Sequence, residues 1–501
     1  MPPTNSSFDV AVIGAGFGGL ATALRLVEQG VRVVVSEAVK YPGGCASTFE
    51  HRGYRFEAGA TLFSGFGEGQ FFRRWIDQHG LDVEVDWLDP VVEVRTPGWS
   101  LPVASNREDF LDALLRLPDA PEPQIRRFFR YQRQIADLLW ALLDDPDLLP
   151  PFGTSAFLTH LRRTPRYLPL VRLVGRPLLH VLKRFDLDHW KPLRTFLDAL
   201  CQITVQCSTS EAEAPFALGT MDYYFRGTGH VRGGIGRLAW AMVEAIRQGG
   251  GEVRFADRVR GVETDADGFV VRARKGDLRA RAVAANMLPQ DLRTLRGGSF
   301  EGPKWFDRWQ RRVEDGWGAC MLYRVVRPPA GAPPHPHHLD IVQDPSKPLI
   351  EGNHLFCSFS GPEDGDRAPA GFRTLTVSTH LPLRRFHSLS PNEKADLVDQ
   401  VHERMRVGLS RMAPEWSEAI LHEMTASPRT FERFTRRGSG FVGGIPRRAG
   451  LHHYLDLLPR PVEPGLFLVG DTVFPGQSTL ATALGGYKLA EHLVRRVLPR
   501  K

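Results

Sequence analysis

The stretch Asp9-Val-Ala-Val-Ile-Gly-Ala-Gly-Phe-Gly-Gly-Leu20 decides the fold of this chain. Its apolar start, residues 10–13, predicts a short buried strand, and Gly14, Gly16 and Gly19 complete a G-x-G-x-x-G turn. Gly14 suits a tight turn, Gly16 lets a pyrophosphate approach the backbone, and Gly19 lets the next helix pack on the strand. The stretch therefore predicts a βαβ unit that binds a dinucleotide at a helix N-terminus.

A second strand with an acidic end supports the same unit. Residues 31–35 read Val-Arg-Val-Val-Val, and Glu37 follows them. A carboxylate there can bind a ribose 2′-hydroxyl and disfavours a 2′-phosphate. Pro42-Gly43-Gly44 then allows the chain to pass close to the dinucleotide again, which favours an extended FAD over NAD. The alternative for this glycine pair is an ordinary turn.

The C-terminal segment predicts the other end of the site. Residues 465–469 form an apolar strand that ends in Gly470-Asp471, and residues 475–480 lead into a helix rich in small residues. An acid at a strand end can accept hydrogen bonds from a ribityl chain, and a helix N-terminus can bring N–H groups to a flavin ring. The alternative is a strand and a helix that only close the sheet.

The chain resembles the FAD-dependent carotenoid desaturases and carotenoid cis–trans isomerases, which are phytoene desaturase-like members of the amine-oxidase-like flavoproteins. The resemblance rests on the motifs above, on residues 54–60 and 474–477, and on a middle segment, residues 232–262. It implies FAD as the cofactor and a backbone contact from Val259 to adenine. The cofactor-binding residues expected from the motifs and the resemblance are Gly14, Gly16, Gly19, Glu37, Gly43, Gly44, Val259, Gly470, Asp471, Gln477, Ser478 and Thr479.

The expected fold class is α/β, with a Rossmann-like FAD-binding domain interleaved with an α+β substrate domain. Segments of the FAD-binding type recur at the start, middle and end of the 501 residues. The FAD-binding domain is therefore assigned to residues 1–70, 220–300 and 440–501. The substrate-binding domain is assigned to residues 71–219 and 301–439.

Composition limits the cellular location and the partners that we expect for the protein. The five cysteines include no C-x-x-C pair, which is typical of reduced thiols in a cytoplasmic protein. No signal peptide and no run of about twenty apolar residues is visible. The net charge of +7 comes with no helix-turn-helix, zinc-ligand or RNA-binding motif, so nucleic acid is not an expected partner. A cytoplasmic protein, associated peripherally with the membrane, is expected.

Residues 150–197 are the expected membrane contact. They are rich in leucine and arginine, and the only acids between residues 157 and 196 are Asp186 and Asp188. Pro165, Pro169 and Pro177 are expected to break the stretch into short helices. A basic, apolar helical stretch can lie in a membrane interface. The alternative is a set of core helices with solvated arginines.

Other patterns are weaker, and no catalytic residue or metal site is predicted from them. His335-Pro-His337-His338 has no further ligand at a suitable spacing. Residues 438–443 match G-x-G-x-x-G, but polar residues precede them and Pro446 interrupts any following helix, which predicts a loop. A single dinucleotide fingerprint disfavours reduction of the flavin by a separate NADPH domain. Oxygen or a membrane quinone is then the expected electron acceptor.

The expected activity is desaturation of a carotenoid or a related long polyene isoprenoid. A flavin beside an apolar channel can take a hydride from an allylic carbon, and the polyene spreads the resulting charge. Cis–trans isomerisation and double-bond saturation by the same fold are alternatives. An amine or other small-molecule flavin oxidase and a non-catalytic FAD-binding protein are alternatives of another class. Amines are disfavoured because only Phe474 and Tyr487 are aromatic beyond Asp471.

Overall fold

A computed structural model describes residues 7–59, 61–297 and 300–498. The strands in these ranges are β1 (Ser7–Ile13), β2 (Val33–Ser36), β3 (Thr48–His51), β4 (Tyr54–Glu57), β5 (Val85–Trp87), β6 (Val92–Arg95), β7 (Ser100–Val103), β8 (Gly229–Val231), β9 (Glu252–Arg254), β10 (Val259–Asp265), β11 (Gly268–Ala273), β12 (Leu278–Ala285), β13 (Trp317–Val326), β14 (His337–Val342), β15 (His354–Phe359), β16 (Arg373–Pro382), β17 (Ile420–Ala426), β18 (Pro461–Glu463) and β19 (Leu466–Leu468). The helices are α1 (Phe17–Glu28), α2 (Phe71–His79), α3 (Arg107–Leu115), α4 (Glu122–Leu143), α5 (Thr154–Val171), α6 (Leu178–Arg184), α7 (Lys191–Thr204), α8 (Ala214–Thr220), α9 (Gly236–Gln248), α10 (Pro289–Arg296), α11 (Lys304–Glu314), α12 (Leu383–Ser388), α13 (Pro391–Met412), α14 (Pro428–Thr435) and α15 (Thr479–His492).

An eight-stranded sheet is built around β1. Its order is β10-β11-β12-β1-β2-β9, and β19 extends it beside β12 and pairs with β18. At its centre, β12 and β2 run parallel to β1, and β19 runs parallel to β12. Helix α1 follows β1 directly, and α15 packs on α1 so closely that a Cβ on Gly486 would lie 2.2 Å from the carbonyl oxygen of Gly18. The parallel centre confirms the predicted α/β fold class.

A seven-stranded sheet forms the second layer, with the order β17-β13-β16-β15-β14-β6-β7. Its pairs are antiparallel except for β14 and β6. Side chains alternate along β16: Leu375, Val377 and Leu381 join the core that also contains residues of α13, whereas Ser378 and His380 belong to the wall of a cavity. One face of the sheet is therefore structural, and the other faces the site.

The division into domains remains our proposal. Strands of the eight-stranded sheet come from residues 7–36, 252–285 and 461–468, and strands of the seven-stranded sheet come from residues 92–103 and 317–426. These placements support a discontinuous FAD-binding domain that the substrate-binding domain interrupts twice.

The prediction that Pro165 and Pro169 interrupt the helix is wrong. Helix α5 continues through both prolines, whereas Pro177 does precede the first residue of α6. A proline inside a helix leaves the carbonyl four residues earlier without its partner. For Pro165 that carbonyl belongs to Leu161, which is an exposed residue, so water can solvate it.

Only part of the stretch 150–197 lies on the surface. Helices α6 and α7 bury most of their apolar side chains, as the alternative of core helices expected. In α5, by contrast, Ala156 is the one buried residue. No helix within the described ranges has both the length and the apolar character needed to span a bilayer. All five cysteines are free thiols.

Candidate functional site

A continuous cavity of about 810 Å³ joins the carboxyl ends of the parallel strands to the inner face of the seven-stranded sheet. The predicted cofactor residues that line it are Gly14, Gly16, Glu37, Gly43, Gly44, Val259, Asp471, Gln477, Ser478 and Thr479. Gly19 and Gly470 lie just behind its wall. The structure thus brings the start, middle and end of the chain together at the edge of the sheet where such folds bind dinucleotides.

The glycine turn after β1 leaves no room for side chains. Gly14 has a φ of +96°, in the left-handed region that favours glycine. A Cβ on Gly16 would lie 2.5 Å from the side-chain amide of Asn286, and a Cβ on Gly19 would lie 2.1 Å from the carbonyl oxygen of Gly14. The turn therefore has the close packing that a pyrophosphate-binding loop requires.

Glu37 occupies the end of β2, as predicted. Its Oε2 accepts a hydrogen bond from the N–H of Ala15 at 2.7 Å, and its Oε1 accepts one from the N–H of Val39 at 2.9 Å. Burial raises the pKa of this carboxyl above its ordinary value, and the two backbone donors oppose that shift. The two N–H groups hold the carboxylate on the cavity wall, where lone pairs remain to accept hydrogen bonds from hydroxyl groups.

The second glycine pair crosses the first turn. The N–H of Gly43 donates to the carbonyl of Ala15 at 2.8 Å, and Gly43 forms an isolated bridge with Gly16. Gly43 and Gly44 have φ values of +108° and +62°. A Cβ on Gly43 would lie 2.6 Å from the carbonyl oxygen of Ala46. The chain therefore passes the dinucleotide edge a second time, and glycine is required for it to do so.

Asp471 forms an ion pair that the sequence did not indicate. Its Oδ1 accepts a hydrogen bond from Nη2 of Arg437 at 3.0 Å. Burial opposes the charge of Arg437, yet the Asp471 carboxylate keeps the pKa of the guanidinium above its ordinary value. A fixed carboxylate and a fixed cation thus stand together on the cavity wall, next to the start of α15.

Helix α15 begins at the cavity. Ser478 has a φ of +89°, and its hydroxyl accepts a hydrogen bond from the N–H of Ala481 at 3.0 Å, which caps the helix. Gln477, just before it, accepts a hydrogen bond from the N–H of Gly444 at 3.3 Å and donates one to the carbonyl of Ile203. The first turn of α15 lines the cavity, so its positive end points into it.

Arg447 connects the loop before α15 to a second segment of the wall. Its Nη2 donates to the carbonyl of Pro475 at 2.8 Å, and its Nη1 lies 3.3 Å from Nδ1 of His453. The guanidinium stacks over the ring of Phe216. Burial lowers the pKa of Arg447 to about 10. Even so, the side chain stays charged at neutral pH.

His380 lies on the inner face of the seven-stranded sheet. Its Nε2 is 3.4 Å from Nε2 of Gln206, and the Trp317 ring meets it edge-on. Burial lowers the pKa of His380 to about 3, so the imidazole is neutral at physiological pH. Gln206 has a φ of +63°, and its backbone carbonyl accepts a hydrogen bond from the indole of Trp317. The group places polar atoms in an otherwise apolar part of the cavity.

The remaining cavity wall is mainly apolar, with a few polar residues such as Ser64, Thr204 and Thr220 among its lining. Trp140 and Tyr223 line it, but their polar atoms donate to the backbone carbonyls of Gly219 and Leu62. They therefore turn ring faces, not hydrogen-bonding groups, to the cavity. The other apolar residues of this part are Leu139, Leu142, Leu143, Leu148, Leu149, Ile203, Phe216, Met321 and Phe356.

Solvent-exposed residues line the cavity in two regions of its wall. Those of the first region are Arg258, Thr294, Phe434 and Arg436, near Val259 in the wall. In the second region, Phe152 is exposed and Leu457 is partly exposed. The first region includes the predicted adenine contact, and the second belongs to the apolar part.

The histidines near residue 335 form no metal site. His337 and His338 begin β14 and are buried. Burial lowers the pKa of His337 to about 4 and that of His338 well below its ordinary value. Within residues 7–59, 61–297 and 300–498, no three His, Cys, Asp or Glu side chains stand close enough to hold a metal ion.

Sequence reasoning missed several residues of the site. Asn286 follows the apolar run of β12 as Glu37 follows β2, so its position at a strand end was a usable signal. The amide oxygen of Asn286 accepts a hydrogen bond from the N–H of Gly16 at 3.1 Å, and its nitrogen donates one to the carbonyl of Val469 at 3.3 Å. Asn286 therefore connects the N-terminal and C-terminal segments of the site. Arg437, Gln206 and His380 carried no such signal, because only the fold brings them to the cavity.

Comparison with known proteins identifies the family. A family model described as flavin containing amine oxidoreductase matches residues 17–297. The chain belongs to this flavin-containing amine oxidoreductase family. It is a flavin-dependent oxidoreductase, and the resemblance expected from the sequence is confirmed at this level.

Relatives and solved structures extend the comparison. The chain is 26% identical to prolycopene isomerase of Arabidopsis thaliana over 514 residues, covering 97% of this chain and 83% of that protein. It is 25% identical to the neurosporene-forming phytoene desaturase of Cereibacter sphaeroides over 508 residues, covering 95% and 92%. Wild-type putrescine oxidase bound to putrescine has the same fold, with a TM-score of 0.64, 17% identity and coverage of 98% and 100%.

Proposed function

We propose that this protein is an FAD-dependent oxidoreductase that desaturates a carotenoid or a related long polyene isoprenoid. The observation that carries the proposal is the continuity of the cavity. The dinucleotide turn, Asp471 and the start of α15 line one part of it, and aromatic and aliphatic side chains line the other. A cofactor and a long apolar substrate can therefore meet inside one cavity.

FAD fits the polar part of this cavity. Gly14, Gly16 and the N-terminus of α1 would hold its pyrophosphate, and Glu37 would accept hydrogen bonds from its ribose. Asp471 would accept hydrogen bonds from the ribityl chain, with Arg437 holding the carboxylate in place. The bound flavin supplies the hydride-accepting chemistry.

The protein's own part in the reaction is to orient the substrate. Ring faces and aliphatic side chains leave a polyene no competing hydrogen-bonding group along most of the wall. Desaturation removes a hydride from an allylic carbon and a proton from the neighbouring carbon. Because the polyene spreads the developing positive charge over many carbons, that proton is acidic, and water or a weak base is enough to accept it. The proposed reaction therefore depends on the shape of the cavity and on its apolar lining more than on a catalytic carboxylate.

Cis–trans isomerisation is the second candidate, and double-bond saturation the third. The isomerisation proposal is favoured by the prolycopene isomerase relatives, which match almost the whole chain. A relative named all-trans-retinol 13,14-reductase matches about half of it. All three reactions use the same flavin position and the same apolar wall.

Amine oxidation is the candidate of another class, motivated by the putrescine oxidase fold. A charged amine would have to lose its hydration in the apolar part of the cavity, where few polar partners line the wall. We propose oxygen or a membrane quinone as the electron acceptor. The local structure supports this proposal, because Gly438–Gly440 form a short 3-10 turn and not the strand-turn-helix unit of a dinucleotide fingerprint.

Expression in carotenoid-producing hosts tests the proposal. Extracts from hosts that accumulate phytoene, poly-cis-lycopene or all-trans-lycopene are compared by chromatography with and without the gene. New, longer chromophores from phytoene support desaturation, and an all-trans product from the cis substrate supports isomerisation. No change in any polyene, together with peroxide formation from an amine, would sink the proposal.

We also propose that the protein associates peripherally with the cytoplasmic face of the membrane through residues 150–197. Helix α5 supports this assignment, because its apolar and basic side chains are exposed. The substrate class adds support, since long polyenes dissolve only in lipid.

A further inference from the structure

Exposed large apolar side chains gather in two segments of the described part of the chain. In both segments these side chains are 47–66% exposed. The first segment is residues 152–171, with Phe152, Phe157, Leu158, Leu161, Leu168 and Val171. The second is residues 451–458, with Leu451, Leu455 and Leu458. Elsewhere in the described ranges such residues are scattered, so the gathering calls for a partner.

Helix α5 buries little of its surface against the protein core. It has 18 residues and contains Pro165 and Pro169, yet Ala156 is its one buried residue. Helices in proteins gain most of their stability from packing of an apolar face. A helix with two internal prolines and an unpacked apolar surface is expected to be completed by a surface outside the chain.

The buried carboxylate of Glu213 connects the two segments through hydrogen bonds. Glu213 accepts hydrogen bonds from the N–H of Gly175 at 2.6 Å, the N–H of Gly450 at 2.8 Å and the hydroxyl of Tyr454 at 2.9 Å. Gly175 follows α5 closely, and a Cβ placed on it would lie 3.8 Å from Leu451. Residues 451–458 are therefore held beside the end of α5, although 280 positions separate Val171 from Leu451 in the sequence.

Both segments also contribute to the cavity wall. Phe152 and His160 line the cavity from the first segment, and Tyr454 and Leu457 line it from the second. The exposed apolar side chains therefore belong to the same two segments that form the exposed wall of the apolar part of the cavity. We call this set of nine exposed side chains the mouth surface.

Charge decides which partner suits the mouth surface. Helix α5 contains no acidic residue, and Arg162, Arg163 and Arg166 make no ion pair with any described residue. Free guanidinium groups among exposed leucines fit the boundary between anionic headgroups and acyl chains. A second copy of the chain would instead bring like charges together.

We infer that residues 451–458 are a second membrane-contacting element, and that with α5 they seat the mouth surface on an anionic bilayer so that a polyene passes directly from lipid into the cavity. This inference rests on the proposed function for the identity of the substrate. The membrane contact itself depends only on the exposed side chains and their charge.

Vesicle binding by two matched triple variants tests the inference. The test variant is Leu451→Ser, Leu455→Ser and Leu458→Ser. The control variant is Val407→Ser, Ile420→Ser and Leu421→Ser, which changes equally apolar side chains, 39–52% exposed, on α13 and β17. Flavin-loaded proteins are sedimented with vesicles of phosphatidylglycerol and phosphatidylcholine at low salt. Flavin absorbance and thermal unfolding verify that each variant is folded.

The expected result is affinity for vesicles that is weaker by about tenfold or more in the test variant, and within about twofold of wild type in the control. Equal binding by the test variant and wild type overturns the inference. A wild-type protein that stays in the supernatant also overturns it. So does a wild-type dimer, seen by light scattering, that the test variant converts to a monomer.

Turnover of a polyene dissolved in detergent micelles separates this inference from the proposed function. If the test variant is active in micelles but not with vesicles, the mouth surface is the route from lipid. If wild type turns over no polyene in either system but still binds vesicles through residues 451–458, the proposed function is wrong and the membrane contact stands.

Discussion

Gly16 lies so close to the side-chain amide of Asn286 that there is no room for a side chain at position 16. We expect Gly16→Val to abolish bound flavin, because its side chain would meet both Asn286 and the position of the pyrophosphate. The measurement is flavin absorbance of the purified protein. Gly98→Val is the control, since a Cβ on Gly98 meets no atom within 4 Å. Full flavin content in Gly16→Val would contradict the assignment of the turn.

Asp471 offers a second test at the residue scale. Its replacement by alanine leaves Arg437 without its carboxylate and leaves ribityl hydroxyls without an acceptor. We expect the affinity for FAD to fall by about 1–3 kcal/mol. Titration of the apoprotein with FAD measures it. Asp77→Ala, which breaks an exposed pair with Arg73, is the control. If both variants bind FAD as wild type does, Asp471 does not contact the cofactor.

His380 predicts a dependence of stability on pH. Its folded pKa, about 3, lies below the ordinary value near 6.5. The unfolded chain therefore binds the proton first as pH falls, so the contribution to stability is complete above about pH 6.5 and is lost progressively towards pH 3. We expect one such histidine to lower the free energy of unfolding by roughly 1–2 kcal/mol between pH 7 and pH 5.

Comparison of His380→Gln with wild type in urea titrations at both pH values measures this effect. The variant should lose less stability on acidification than wild type. His189→Gln serves as the control, because the side chain of His189 is 73% exposed. Equal acid sensitivity of wild type and His380→Gln would show that His380 is not the source.

Single residues were predictable where a motif fixes their backbone neighbours. Gly14, Glu37 and Ser478 stand at strand or helix ends, so local sequence places them at the cavity. Arg437 and His380 come from segments whose position depends on how the two sheets pack. No spacing along the chain carries that information, and the contacts of Asp471 with Arg437 were therefore missed.

At the scale of elements, β12 shows what periodicity can predict. Residues 278–285 read Leu-Arg-Ala-Arg-Ala-Val-Ala-Ala, an alternation followed by apolar residues that indicates a strand, and the structure has a strand with those ends. The boundaries of α5 were not predictable in this way. The rule that proline ends a helix assumes that the freed carbonyl stays unsatisfied, and an exposed helix avoids that cost through water.

At the scale of elements, the prediction concerns the arginines at and just after α5 and their contact with the membrane. Changing Arg162, Arg163, Arg166 and Arg172 to Glu should release the protein from anionic vesicles, since each basic residue near such a surface contributes about 1 kcal/mol at low salt. Sedimentation with vesicles measures the release, and activity should fall far more than flavin content. The control changes four exposed arginines elsewhere, Arg116, Arg260, Arg274 and Arg429. Equal loss of binding in both variants would indicate a net-charge effect alone.

At the scale of the whole molecule, the candidate cofactor site is assembled from segments more than 400 residues apart. The family resemblance predicted that the C-terminal segment of the chain returns to the sheet formed by the N-terminal segment. The parallel pairing of β19 with β12 brings it there. The course of the cavity was not predictable, because it depends on the packing of two sheets and of α4, α5 and α7 around them.

Such an assembly should depend on its cofactor. Binding to the folded state alone stabilises it by about 2.7 kcal/mol when free FAD is at 100 times its dissociation constant. We expect the thermal midpoint of the apoprotein to rise with FAD concentration, and that of Gly16→Val to stay unchanged. Calorimetric scans of both apoproteins measure it. Equal rises in the two proteins would place the binding elsewhere.

Arg447 bridges two parts of the cavity wall. Its side chain contacts both the carbonyl of Pro475, just before α15, and His453, within the segment between Gly450 and Tyr454 that Glu213 holds. If contact with a membrane favours one position of this segment, we expect Arg447 to couple that preference to the end of the cavity proposed to hold the flavin. Thermodynamic linkage requires the effect to be mutual. If contact with a lipid surface changes the affinity for flavin by some factor, bound flavin changes the affinity for the lipid surface by the same factor. The flavin-free and flavin-bound proteins would then partition differently between water and membrane.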